Sequence, residues 1–227
     1  MTGTLYIVPT PIGNLEDMTL RAIRTLKEVD LVLCEDTSVT QRLFKEYDIT
    51  TKTSVFYSQS PQAKVPWVIS LLQEGKNIAL VSDAGMPAIS DPGVILIDAV
   101  RKDLPDAKVV ALPGASALIT AVAGAGIAGN SFIFLGFLPH KKGRETIFKE
   151  IVAREETTVF YESVHRIEKT LESLVKVLPE NRTIVIAREL SKLHEEYVKG
   201  SASEVKNYFE THPDHIRGEF VVIISGK

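Results

Sequence analysis

Glu35 and Asp36 are adjacent carboxylates directly after an apolar run, Asp30 to Cys34. A carboxylate at the end of a strand suits general-base removal of a proton from a bound hydroxyl. The same pair suits a helix cap, because Asp36, Thr37 or Ser38 can accept hydrogen bonds from the first amides of a helix. Glu189, next to Arg188 and close to Lys192, belongs either to a structural ion pair or to a functional cluster. The second chemical feature is the string Ser82 to Gly93, a loop with little side-chain bulk between strand-like Asn77 to Val81 and helical Val94 to Val100. Gly85 and Gly93 permit close approach of a small molecule to the backbone. Ser90 suits the cap of the following helix, and Asp91 and Pro92 suit its first turn.

These residues need a scaffold, and the same strand, loop, helix grammar recurs at Gly3 to Asp17 and at Ala107 to Leu118. Strand-like runs near Leu5 to Val8, Asp30 to Cys34, Thr53 to Tyr57, Ile78 to Val81 and Lys108 to Leu112 alternate with helical patterns. That alternation predicts a mainly parallel sheet with helices on both faces, which gathers its loops at the carboxyl ends of the strands. A small-residue helix, Ala115 to Ala125, leads to a second unit with five further strand-like runs and three helices. Thr183 to Arg188 and Glu196 to Lys199 are joined without a helix, so antiparallel pairing is expected there. Ser201 and Glu204 form a capping box for the last helix. The expected domains are 1–129 and 130–227, both α/β.

Composition narrows the function classes. The 227 residues hold 26 Lys plus Arg against 29 Asp plus Glu, a formal charge of -3, so any nucleic-acid contact must use a local patch. His140-Lys141-Lys142-Gly143-Arg144 is the densest basic run, either a solvated loop or a phosphate contact. The single cysteine, Cys34, reads as a buried structural thiol. Gly124 to Gly129 matches G-x-G-x-x-G, but a helix precedes it and a strand follows, so it reads as helix termination and linker. The five histidines show no metal-ligand spacing, and no metal is expected. No charged leader opens the chain and no apolar run is long enough for a bilayer, so a cytoplasmic protein without a membrane partner is expected.

Taken together, the loops at Pro9 to Asn14, Ser82 to Gly93 and Leu112 to Ser116, with Phe160 to Arg166 and Ala187 to Glu196, resemble the bacterial 16S ribosomal RNA cytidine 2'-O-methyltransferases of the tetrapyrrole methylase superfamily. The resemblance runs from Gly3 to about Ser225 and implies a two-domain α/β fold with a mainly parallel N-terminal sheet and a mixed C-terminal sheet. It also implies a homodimer that binds S-adenosylmethionine in the interdomain cleft and acts on 16S ribosomal RNA or the small ribosomal subunit. Carried over by motif, the cofactor contacts are Ile12, Gly85, Met86, Ile89, Ser116 and Ala117, with Tyr161, Ala187 and Glu219 from the second domain. Lys141, Lys142 and Arg144 become RNA contacts, and Glu35, Asp36 and Glu189 the candidates for a proton acceptor. The chain departs from the family pattern at Ser38, at Met86 and Ala88, and in Phe56 to Ser60. Two alternatives stand beside this reading: another methylase of the superfamily, acting on a tetrapyrrole or a protein, and a catalytically silent RNA-binding assembly factor. The Pro9 to Asn14 string argues against a tetrapyrrole methylase, whose members typically carry a glycine-rich string there.

Overall fold

The computed structural model describes residues 1–56, 61–127, 130–140 and 143–227, with 61 and 62 as backbone only. The chain divides into two compact units, Met1–Ser116 and Ala117–Lys227.

The first unit is built on five strands, β1 (Thr4–Ile7), β2 (Leu31–Cys34), β3 (Thr53–Val55), β4 (Ile78–Leu80) and β5 (Lys108–Ala111), all parallel and ordered β3-β2-β4-β1-β5. Successive side chains of a strand point to opposite faces. Leu5, Ile7, Leu33, Ile78 and Leu80 therefore pack with Val65, Val68 and Leu72 of α3 (Pro61–Gln73) and Leu96 and Val100 of α4 (Gly93–Asp103). Val8, Val32, Cys34, Ala79 and Val81 pack on the other side with Ala22 and Leu26 of α1 (Leu20–Glu28) and Phe44 of α2 (Thr37–Glu46). Burial on both faces explains why these strands read as continuous apolar runs. It also covers Cys34 completely, as expected.

This topology creates a crevice. The loops leaving β1 and β2 turn to the face of α1 and α2, whereas the loop leaving β4, which lies between them, turns to the face of α4. Adjacent strands whose connections depart to opposite faces open a space beyond their carboxyl ends, where open α/β sheets bind ligands.

The second unit holds α5 (Ala117–Ala125), β6 (Phe132–Phe137), α6 (Arg144–Ala153), β7 (Thr157–Ser163), α7 (Ile167–Val177), β8 (Ile184–Arg188), β9 (Glu196–Gly200), α8 (Ala202–Thr211) and β10 (Glu219–Ile224). Its mixed sheet runs β6-β7-β10-β8-β9, with β6 and β7 parallel and the remaining pairs antiparallel, including the expected β8 and β9 hairpin. Phe160, Ile184, Ile186, Phe220, Val222 and Ile224 face a core built with α6, α7 and α8. The capping box forms: the Glu204 amide donates to Ser201 Oγ at 3.3 Å and the Ser201 amide to Glu204 Oε2 at 2.8 Å.

The chain divides at Ser116, before α5, rather than at the expected Gly129. The physical reason is packing. α5 lies on β7, β8, β9 and β10, and its small residues allow a close approach. Tyr197 Oη donates to the Thr120 carbonyl at 3.1 Å, and a Cβ on Gly124 would lie 2.4 Å from the Tyr197 ring. Gly124 is thus a packing residue and Gly126, at φ +62°, leaves the helix; the rest of the G-x-G-x-x-G string lies partly outside the described residues. Ser90 does not cap α4. The Gly93 amide instead donates to Asp91 Oδ1, while Ser90 takes φ +58°.

Candidate active site

Four loops meet beyond the carboxyl end of β4. Thr10, after β1, exchanges two backbone hydrogen bonds of 3.0 Å with Gly85, after β4. Thr10 Oγ1 donates to the Ser82 carbonyl at 3.0 Å, and Ser82 Oγ donates to the Gly85 carbonyl at 3.1 Å. After β5, Gly114 lies so close to Pro9 that a Cβ would approach its ring to 2.3 Å. After β2, the Asp36 amide donates to Asp83 Oδ1 at 3.1 Å. Gly85 sits at φ +81°, followed by Ala88 at +67° and Ser90 at +58°. Left-handed backbone at two residues with side chains costs on the order of 1 to 3 kcal/mol each, and such conformations cluster at ligand sites.

Gly85 uses the backbone freedom that its missing Cβ gives, and its amide and carbonyl are both engaged by Thr10. Ile12 is buried against it, 3.1 Å from the position of a Gly85 Cβ. Met86 is half-buried and Ile89 is 44 % exposed, an apolar side chain held at the mouth of the loop. Ser116 is half-buried at the end of the loop after β5.

The electrostatics separate the two carboxylates that sequence alone leaves together. Asp36 caps α2: the Ser38 amide donates to its Oδ1 at 2.7 Å, and this bond, with the nearby Val39 amide and the Arg42 charge, holds its carboxyl below the usual carboxylate range. Glu35 is driven the other way. Burial pushes its carboxyl up to about 7, and a hydrogen bond with Asp91 and the charges of Asp91 and Asp83 act in the same direction. Burial likewise raises Asp83, assisted by the charges of Asp36 and Asp91. The segments leaving β1, β2, β4 and β5, at 8–15, 35–36, 81–92 and 112–116, carry Glu35, Asp36, Asp83 and Asp91 and no Lys, Arg or His. Among the described residues no group of His, Cys, Asp and Glu could hold a metal ion. Apolar side chains and carboxylates, with no cation in these segments, suit a cationic organic ligand.

In the second unit, Ala117 opens α5, Tyr161 is half-buried on β7, and Glu219 is exposed at the start of β10. Ala187 is fully covered in β8, paired with Val221 and Tyr197, which leaves its side chain no surface for a ligand. Glu189, at φ +50° after β8, receives Lys192 Nζ at 2.8 Å and packs over Gly218, where a Cβ would lie 1.8 Å from its Oε1.

Of the basic run, Lys141 and Lys142 lie outside the described residues. Arg144 is engaged internally. Its Nη2 lies 2.5 Å from Glu162 Oε2, and Arg166 Nε lies 2.7 Å from Glu162 Oε1. Thr170 Oγ1 and the Ser163 amide complete the shell of this fully buried carboxylate, at 2.7 and 2.9 Å. Sequence reading missed Glu162 and Arg166 as partners of Arg144, because charge is visible in a sequence and long-range pairing is not. The grouping of Asp83 and Asp91 with Glu35 also escaped it, although two aspartates in a small-residue loop were a usable signal.

Comparison with known proteins identifies the family and the fold. The family model of Tetrapyrrole (Corrin/Porphyrin) Methylases matches residues 4–206. A Streptococcus pyogenes protein named Ribosomal RNA small subunit methyltransferase I is 49% identical over 226 residues, covering 99% of this chain and 77% of its own length. A Hydrogenobaculum protein of the same name is 46% identical over 224 residues, covering 97% of this chain and 95% of its own. The crystal structure of a Thermus thermophilus uroporphyrin-III C-methyl transferase, complexed with S-adenyl homocysteine, superposes with a TM-score of 0.64 at 18% identity over 98% of this chain and 97% of its own. The two-unit α/β architecture is therefore shared far beyond close sequence relatives, and the chain belongs to the tetrapyrrole methylase family.

Proposed function

We infer that this protein is an S-adenosylmethionine-dependent methyltransferase that modifies small-subunit ribosomal RNA at the 2'-hydroxyl of a cytidine. The observation that carries the reading is near full-length identity of 49% to a relative named for methylation of that RNA. The loops of the first unit fit the cofactor: they are apolar at Ile12, Met86 and Ile89 and acidic at Glu35, Asp83 and Asp91, which suits a sulfonium-bearing nucleoside. Ile12, Gly85, Met86, Ile89 and Ser116 are the proposed holders, with Asp83 and Asp91 setting the field around them. Ala117, Tyr161 and Glu219 of the second unit remain candidates by motif, each tested by its effect on S-adenosylhomocysteine binding.

S-adenosylmethionine, when bound, supplies an electrophilic methyl group. The chain's own contribution is alignment and a proton acceptor. Glu35 is the proposed acceptor, since a carboxyl raised to about 7 is a stronger base than an ordinary carboxylate and still ionises near neutrality. Asp36 positions α2, and Glu189 orders the turn after β8. Lys141 and Lys142 are the proposed phosphate contacts, with the role of Arg144 confined to anchoring. A homodimer in the cytoplasm completes the reading, checked by light scattering and fractionation; among the described residues no helix is long and apolar enough to cross a membrane.

Mapping of 2'-O-methyl positions in ribosomal RNA with and without the protein tests the assignment. One cytidine of the small subunit is expected to lose its mark. An unchanged map, or a modified tetrapyrrole in its place, would overturn the reading.

A further inference from the structure

We propose that Phe137 is a stacking platform for an unpaired base of the RNA substrate. The inference rests on the RNA reading above and deepens it. β6 pairs with β7 in regular register from Phe132 to Phe134, opposite Thr157 to Val159, and then carries one residue more than its partner before Phe137 meets Tyr161. Gly136, at φ +63°, makes that bulge. Bulges re-aim side chains, often beside functional sites.

Leu135 and Leu138 both pack into the core formed with α6 and α7, whereas regular alternation would have put Phe137 there. The bulge moves Phe137 to the opposite face, beside Tyr161 at 5.3 Å between ring centroids and near Phe134, which stands edge-on to Tyr161 at 4.9 Å. Phe137 remains 54 % exposed there, a large apolar ring that folding leaves uncovered.

Its backbone is also held from behind. Arg166 Nη1 donates to the Leu138 carbonyl at 2.8 Å and Arg144 Nη1 to the Pro139 carbonyl at 3.3 Å, both arginines being clamped by buried Glu162. The bulge before Phe137 and the arginine contacts to the two carbonyls after it fix the backbone that carries the ring, which lowers the entropy lost on binding. The occupant follows from charge. In sequence, Phe137 is followed through Leu138 and Pro139 by His140-Lys141-Lys142, part of the densest basic run, so two lysines come within five residues of the ring. Single-stranded RNA presents that combination, with flat bases to stack and phosphates to neutralise.

The test compares wild type, Phe137→Ala and Phe137→Trp by fluorescence anisotropy with a labelled single-stranded, cytidine-containing oligoribonucleotide, alongside S-adenosylhomocysteine calorimetry and light scattering. Phe137→Ala should weaken RNA binding about 5- to 150-fold, the range for loss of one stacked base. Phe137→Trp should restore it. Cofactor-product affinity, molecular mass and the salt dependence of RNA binding should all stay at wild-type values, since stacking releases no counterions. Equal RNA affinity in wild type and Phe137→Ala would overturn the proposal, as would a matching loss of S-adenosylhomocysteine binding or a change in mass, which would assign the ring to the cofactor or to a second copy. Failure of the wild type to bind both the oligoribonucleotide and isolated small ribosomal subunits would instead overturn the RNA reading.

Discussion

Glu35 and Glu162 each stand at the carboxyl end of a strand, one in each unit, and their surroundings are opposite. Glu162 is fully buried and meets two guanidinium groups, a hydroxyl and an amide within 2.9 Å. Glu35 is partly covered and meets carboxylates, Asp91 through a hydrogen bond and Asp83 through its charge. A carboxylate whose oxygens are all engaged by fixed donors orders the chain around it. Burial first, and then the carboxylates beside it, raise Glu35 to about 7, where it exchanges a proton near neutrality. What differs between the two carboxylates is their partners, cationic for Glu162 and acidic for Glu35.

Removing the scaffold carboxylate gives the largest expected effect. Glu162→Ala leaves Arg144 and Arg166 without their counter-charge and should destabilise the protein by about 3 to 5 kcal/mol in urea unfolding. A loss below about 1 kcal/mol would mean that water or another group replaces the carboxylate. Gly85→Val attacks the other region through its backbone. With φ at +81° and a Cβ only 3.1 Å from Ile12, it should cost roughly 1 to 3 kcal/mol and lower S-adenosylhomocysteine affinity together. Calorimetry showing unchanged affinity in a folded variant would remove this turn from the cofactor site.

The smallest effect sharpens the contrast through pH. Because folding raises the Glu35 pKa above its ordinary 4.5, the stability it contributes is present below that value and is lost as pH rises through about 7. Glu35→Gln removes the repulsion and should raise Tm above neutrality by about 2 to 4 °C, on the order of 1 kcal/mol after discounting for solvent screening. At acidic pH the two proteins should melt alike. A variant that melts lower than wild type above neutrality would show that the carboxylate is stabilised by partners rather than strained by them.

Much of the fold was legible because parallel strands buried on both faces must read as apolar runs, and because Ser201 with Glu204 marks a helix start within four residues. Local signals failed where the partner is distant in sequence. α5 has the composition of a connector, yet Tyr197 docks on Gly124 from across the second unit. Arg144 looks like a free cation until Glu162 is brought to it. Ser90 is the better cap by residue type, but the turn puts it at φ +58° and hands the amide to Asp91. The site was legible as a place, through Gly and Pro loops after strands, and not as an electrostatic device. Which carboxylate faces an amide and which faces another carboxylate depends on how β2 and β4 lie side by side.

The central claim is that Glu35 accepts the proton in methyl transfer, and the single-turnover rate of ribosomal RNA methylation as a function of pH tests it most directly. The wild-type rate should rise with pH to a plateau above about 7, as Glu35 ionises. Glu35→Gln should bind cofactor normally yet react on the order of a hundredfold more slowly, without that titration, while Asp36→Ala keeps both the titration and a rate within a few-fold of wild type. A Glu35→Gln enzyme that retains the wild-type rate and pH profile would contradict the account.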